Sequence, residues 1–211
     1  IKMGSIEVWK PAAAAAELLD VPPYDDLIAV AAGTHHATGL RADGSLVSWG
    51  QDTQGQVSGT PTGSGYVAVD AGLLYSMALH ADGTVVAWGG GLAATDDCPS
   101  GSGFKAIGAG FAFAYGITDA GELHQWGPMT GMPAGTGFVQ VRASRQAAAA
   151  LDSAGAPTIF GTNTGIVGTA VPAGTFTTVD IGDYNAAGVL DDGRLVSWGG
   201  TSAAAYGLVQ D

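Results

Sequence analysis

The sequence predicts an all-β chain of repeated antiparallel sheets, on three observations. An eight-residue phrase recurs as DGSLVSWG (Asp43–Gly50), DGTVVAWG (Asp82–Gly89) and DGRLVSWG (Asp192–Gly199). Weaker copies fill the intervals, so that Trp9, Trp49, Trp88, Trp126, Phe160 and Trp198 are separated by 40, 39, 38, 34 and 38 residues. Glycine makes up 35 of the 211 residues against nine prolines, with no collagen-like triplet. That composition belongs to many tight turns between short strands.

Each repeat can be justified strand by strand. Ile28–Leu40, Val67–Leu79, Lys105–Ile117, Val139–Leu151 and Thr177–Val189 share one plan. An alternating apolar stretch meets a small-residue break near Ala-Gly, and a second apolar stretch follows. Period-two alternation marks half-buried strands, here A and B. Asp-Gly then closes a hairpin, because both of its turn positions tolerate positive φ. Strand C follows and ends at the aromatic residue and its glycine. The variable stretch after it, such as Gln51–Gly59, has room for a loop and a short strand D. Four antiparallel strands per repeat of this length form one β-propeller blade. The aromatic residue is expected to pack between adjacent blades.

The repeats divide a single domain, residues 1–211, into a partial unit (1–26) and units 27–65, 66–103, 104–137, 138–175 and 176–211. The fourth departs most from the pattern: Ser144 replaces a glycine, Pro157 interrupts strand C and Phe160 replaces tryptophan. Two closures are open. Ala205–Asp211 can supply a strand B that runs into Gly4–Lys10, sealing a six-bladed ring. Alternatively it is a strand D, and the ring is an incomplete or truncated seven-bladed one. Pro11–Pro22 fills a D position or forms a helical turn.

The pattern V-x-A-I-x-A-G-x-x-H-x-x-A-L followed by D-G-x-V-x-x-W-G-x-N-x-x-G-Q resembles the RCC1-like propellers (regulator of chromosome condensation). The wording VSWG and VAWG is most similar to the bacterial branch, which includes β-lactamase inhibitory protein II. The phrase at Trp49–Gln56 carries the resemblance well, and it extends over residues 27 to 199. In that inhibitory propeller, aromatic residues of the A–B loops contact the target enzyme. Carried over by motif position, the resemblance puts His35, Leu74, Phe111 and Tyr184 first.

Strand order gathers the A–B and C–D loops on one face, opposite the Asp-Gly turns. The candidate partner-binding residues on that face are His35, Leu73, Leu74, Tyr75, Phe111, Phe113, Met129, Arg145 and Tyr184. Large apolar side chains beside loop glycines suggest a protein interface with a polar rim.

Composition argues against other classes. A net charge of −12 with seven basic residues disfavours nucleic acid and anionic membranes. No apolar run approaches the ~20 residues of a spanning helix. The Ile1 start and the absence of a visible signal peptide suggest a processed or excised chain. Cys98, the single cysteine, excludes an internal disulfide. Four histidines, two of them adjacent, complete no metal site, and His36 reads as structural. No nucleophile–base pair, phosphate loop or cofactor motif is present. The expected function is therefore non-enzymatic binding of a protein partner, with inhibition as one form of it. The alternatives are a structural or display module of a cell-surface or virion assembly, and a glycan-binding propeller. An extracellular, cell-surface or virion setting suits these readings.

Overall fold

The computed structural model describes residues 24–90, 93–162 and 171–200. Trp9 and the two segments invoked for ring closure lie outside these residues.

Five sheets follow one another, one per repeat, and each has three antiparallel strands in chain order. The first comprises β1 (Leu27–Ala32), β2 (His36–Arg41) and β3 (Leu46–Gly50). The second comprises β4 (Tyr66–Ala71), β5 (Tyr75–His80) and β6 (Val85–Gly89), and the third β7 (Phe104–Ala109), β8 (Ala114–Thr118) and β9 (Leu123–Trp126). The fourth is β10 (Phe138–Ala143), β11 (Ala147–Asp152) and β12 (Pro157–Gly161), and the fifth β13 (Phe176–Ile181), β14 (Asn185–Leu190) and β15 (Leu195–Gly199). The one helix among the described residues is a single turn, Ala93–Asp96.

Among the described residues each blade has three strands, and the expected fourth is not seen. In the first repeat the reason is visible. The Asp52 carboxylate accepts the Val57 and Ser58 N–H groups at 2.8 and 2.9 Å, closing a local turn. Such side-chain-to-backbone bonds compete with strand pairing, and Gly55, Gly59 and Pro61 weaken pairing further. Pro157 does no damage, because it opens β12, an edge strand, opposite Leu151.

The blades pack face to face around an axis. The first strands of successive sheets adjoin: β1 meets β4, β4 meets β7, β7 meets β10 and β10 meets β13. The third strands lie at the periphery. Every first strand carries a bulge at its second residue, which leaves Ile28, Val67, Lys105, Val139 and Thr177 exposed.

Three apolar clusters bridge neighbouring blades. Trp126 packs with Met77 and Val85 of the second blade, and Trp198 with Ala149 and Leu151 of the fourth. Phe160 sets its ring edge-on to Tyr115 of the third blade at 5.2 Å. Trp88 donates its indole N–H to the Gln56 carbonyl of the first, at 3.0 Å. Each aromatic thus rests on the preceding blade. Trp49 stands in the first described blade and is only half-buried.

The Asp-Gly phrase has a second task beyond its hairpin. The first four Asp-Gly or Ala-Gly turns offer their glycine carbonyls to the first strand of the next blade. Gly44 accepts from Tyr66, Gly83 from Phe104, Gly121 from Phe138 and Gly155 from Phe176, at 2.9–3.0 Å. Gly83 has φ +83°, and a Cβ there would sit 2.6 Å from the Gly103 nitrogen. Both the turn and the blade-to-blade stitch therefore require glycine.

Candidate functional site

Five three-residue turns join A to B on the face opposite those stitches. They are Thr34–His36, Leu73–Tyr75, Phe111–Phe113, Arg145–Ala147 and Asp183–Asn185. Each is preceded by Gly33, Gly72, Gly110, Ser144 or Gly182, whose N–H donates back across the turn at 2.8–2.9 Å. The five turns are therefore equivalent in geometry, and their residues can be compared position by position.

The third position is buried in the first four turns, at His36, Tyr75, Phe113 and Ala147, and exposed in the fifth, at Asn185. His36 shares a 2.9 Å hydrogen bond through Nε2 with Ser76 Oγ of the next blade, and Thr38 Oγ1 meets the same hydroxyl at 2.7 Å. Burial lowers the His36 pKa below its usual value, since a charged imidazole would lose water there. Tyr75 donates its hydroxyl proton to the Phe113 carbonyl at 2.6 Å, with the Gly110 carbonyl at 3.2 Å. Burial pushes the Tyr75 phenol pKa far up. Phe113 enters the cluster formed with Val141 and Ala148 of the fourth blade.

This placement corrects two of the expected contact residues. Tyr75 and Phe113 are 0% and 4% exposed. Both are wedges between blades, and neither can reach a partner without the blades separating. His36 is a wedge as well, although it reaches a hydroxyl of the next blade. The signal for this role was present in the sequence: three rings recur at one repeat position, as the tryptophans do.

The first and second positions face outward. Around the axis the first position reads Thr34, Leu73, Phe111, Arg145 and Asp183; the second reads His35, Leu74, Ala112, Gln146 and Tyr184. His35 and Arg145 are exposed, Tyr184 is 60% exposed, and Leu73, Leu74 and Phe111 are half-buried. Neighbouring turns are tied together. The Leu73 N–H donates to the Phe111 carbonyl at 3.1 Å. The Arg145 guanidinium carbon lies 4.7 Å from the Phe111 ring centroid, and the Arg145 N–H donates to Asp183 Oδ1 at 2.9 Å. Between the turns of the first four blades is an open hollow of about 220 Å³. Its rim includes Thr34, Leu73, Phe111 and Arg145.

Met129 is half-buried against the cluster between the third and fourth blades, on which Phe111 also packs, and its carbonyl accepts a 2.6 Å bond from Gln125 Nε2.

Charges line the first strands just below. Asp70 Oδ2 accepts the Ala109 N–H at 2.9 Å, and Oδ1 accepts its own neighbour Ala71 N–H at 2.8 Å. Burial raises the Asp70 pKa above the usual carboxylate value; those two bonds and the charge of Arg142 oppose the rise, and Asp180 adds to it. Asp70, Arg142 and Asp180 come from the second, fourth and fifth blades, so their coupling spans the axis. Among the described residues no group of three His, Cys, Asp or Glu side chains is placed to hold a metal ion.

A second hollow, about 790 Å³, lies on the outer side of the first blade beside His35, Trp49 and Gln51.

The comparisons agree with this architecture. The family model described as the regulator of chromosome condensation (RCC1) repeat matches residues 27–56, which hold the whole first blade and the turn after it. No curated protein matches the chain. Among solved structures, the ectodomain of the Physcomitrella patens receptor kinase CR4 superposes with a TM-score of 0.67 at 24% identity. That match covers 93% of this chain and 53% of the other. The CRINKLY WD40 ectodomain of the Arabidopsis thaliana receptor kinase ACR4 gives 0.69 at 22%, covering 85% and 67%. Yeast RCC1 (Prp20) bound to Kap60 gives 0.66 at 18%, covering 82% and 56%. The chain therefore has an RCC1-like repeat fold and spans one half to two thirds of the length of these structures. No helix among the described residues is long and apolar enough to cross a membrane.

Proposed function

We propose that this chain is a non-catalytic, protein-binding propeller whose contact surface is the ring of A–B turns. One observation carries the reading. Five turns of equivalent geometry hold different side chains at their two outward positions, whereas the opposite face repeats one Asp-Gly or Ala-Gly solution in all five blades. Variation on a rigid, repeated frame is how a scaffold makes a specific surface. His35, Leu73, Leu74, Phe111, Arg145 and Tyr184 form that surface, with Met129 supporting it. Yeast RCC1, of like fold, is itself seen bound to Kap60, and Prp20p from Saccharomyces cerevisiae is described with its binding to Gsp1p and histones. Inhibition of a bound enzyme is one form this function takes, and neither nucleic acid nor a cofactor has a part in it. A six-bladed ring goes with this reading.

A display role in a cell-surface or virion assembly is the second reading. It is favoured by the first blade, where Val30 is 51% exposed while its counterparts Val141 and Val179 are buried, and where Trp49 is half-buried. That flank can accept another blade or chain. The glycan reading has less support, because Trp88, Trp126 and Trp198 are buried and present no open ring face.

The test is capture by the purified chain beside a Leu74→Asp, Tyr184→Asp variant, with the mass of each measured in solution. A partner held by the parent and lost by the folded variant supports the turn surface. Self-assembly of both proteins with no turn-dependent partner supports the display role instead.

A further inference from the structure

We propose that the hollow at the centre of the turn ring receives an acidic side chain of the protein partner, with Arg145 as its counter-ion. The proposal rests on the protein-binding reading and specifies the chemistry of its partner.

The argument begins with charge. The described residues contain five basic side chains in an acidic protein. Arg41 and Arg194 are each ion-paired at 2.8 Å, to Asp26 and Asp192. Lys105 Nζ reaches a backbone carbonyl, and Arg142 Nη1 donates to the Val141 carbonyl at 3.1 Å. Arg145 is exposed, and among the described residues its guanidinium has no carboxylate within ion-pair distance. Asp183, the nearest candidate, gives Oδ1 to the Arg145 backbone N–H. The guanidinium is laid over the Phe111 ring instead. Stacking covers one face of its plane and leaves its in-plane N–H donors free. Those donors favour carboxylate geometry.

Size then selects the occupant. Small-molecule sites run to ~300–1,000 Å³ and enclose their ligands, whereas ~150 Å³ already accommodates one aromatic ring. A hollow of about 220 Å³ that opens outward is the size of one inserted side chain. Leu73 and Phe111 give it apolar walls. The matching element is a carboxylate beside an apolar residue on the partner's surface. The chain's own charge of −12 would repel a generally acidic partner. Recognition is therefore of one carboxylate, placed by apolar neighbours.

The probes are N-acetyl-Glu-Phe-amide and its Gln and Lys counterparts, titrated into the full chain while the amide signals of Leu73, Phe111 and Arg145 are followed. The Glu peptide should bind about threefold to fivefold tighter than the Gln peptide, the range an exposed ion pair supplies. Added salt should narrow the gap. In Arg145→Gln, a surface substitution, the Glu and Gln peptides should bind alike. Equal binding of the Glu and Lys peptides to the parent overturns the proposal. So does a Glu preference that survives in Arg145→Gln, or no saturable shift at all. A parallel selection from displayed peptides separates the two levels. Binders that need Leu74 and Tyr184 but carry no acid sink this proposal and leave the turn surface standing. If no binder depends on those residues, the broader reading falls with it.

Discussion

Ser144 takes the place of a turn glycine because Ala147 takes the place of a ring. At Gly33, Gly72 and Gly110 an added Cβ would lie 2.1–2.3 Å from the ring of the residue three places on, which is His36, Tyr75 or Phe113. In the fourth turn Ala147 has no ring, and Ser144 keeps the bond to the Ala147 carbonyl at 2.8 Å. The two departures from the repeat are one coupled change.

Gly72→Ala is therefore expected to destabilise the chain by ~1–3 kcal/mol, as overpacking does. The Cβ would meet both the Tyr75 ring and the Gly110 carbonyl. Ser144→Gly should cost much less. Urea unfolding of the two variants at one temperature makes the comparison, and equal losses would refute the coupling.

Tyr75→Phe keeps the wedge and deletes its bond to the Phe113 carbonyl. The Phe113 carbonyl keeps the Gly110 N–H, so the loss should be that of one hydrogen bond, ~0.5–1.5 kcal/mol. Binding through the turn surface should not change, because the hydroxyl points between blades. A binding loss with unchanged stability would return Tyr75 to the contact surface.

Trp88→Ala should cost ~3–5 kcal/mol, the usual loss for a buried aromatic. Trp49→Ala should cost less, since Trp49 is half-buried while Trp88 is 6% exposed. Equal losses would mean that the flank of the first blade is covered as fully as the others.

Stability should also fall on mild acidification through His36. Its folded pKa lies below the usual value of 6.5, so the unfolded chain takes up the proton first. The full contribution is present above 6.5 and is lost as pH falls toward the folded pKa. His36→Gln should flatten that part of the profile. The turn carboxylates act in a separate, lower window. Asp82, held by Thr84 and then His80, has its pKa depressed to about 2. Its contribution is present above the ordinary value of 3.8 and is lost as pH falls toward 2. Unfolding measured from pH 8 to pH 2 separates the two.

Much of this architecture can be read from residue order. Strands A, B and C follow from alternation and from Asp-Gly, because each depends on neighbours within a dozen residues. The contact between each strand-C aromatic and the preceding blade follows from its spacing. The missing strand D was not legible. Whether Gln51–Gly65 pairs or coils depends on the Asp52 side chain capturing Val57 and Ser58. The inward aim of Tyr75 and Phe113 was legible only in the recurrence of rings at one repeat position, since alternation cannot be followed through a three-residue turn. The Arg145–Phe111 contact joins residues 34 apart, and only assembled blades bring them together.

The stitch from each Asp-Gly or Ala-Gly turn to the following blade gives the molecule the logic of a chain of identical couplings. Every joint uses the same backbone atoms, so none depends on which side chains its neighbours display. Cooperativity then passes from one unit to the next, and a weak joint divides the whole into two folding segments. The outward residues of a single turn can be rewritten without disturbing any joint. On the binding reading proposed above, recognition could then be changed one blade at a time.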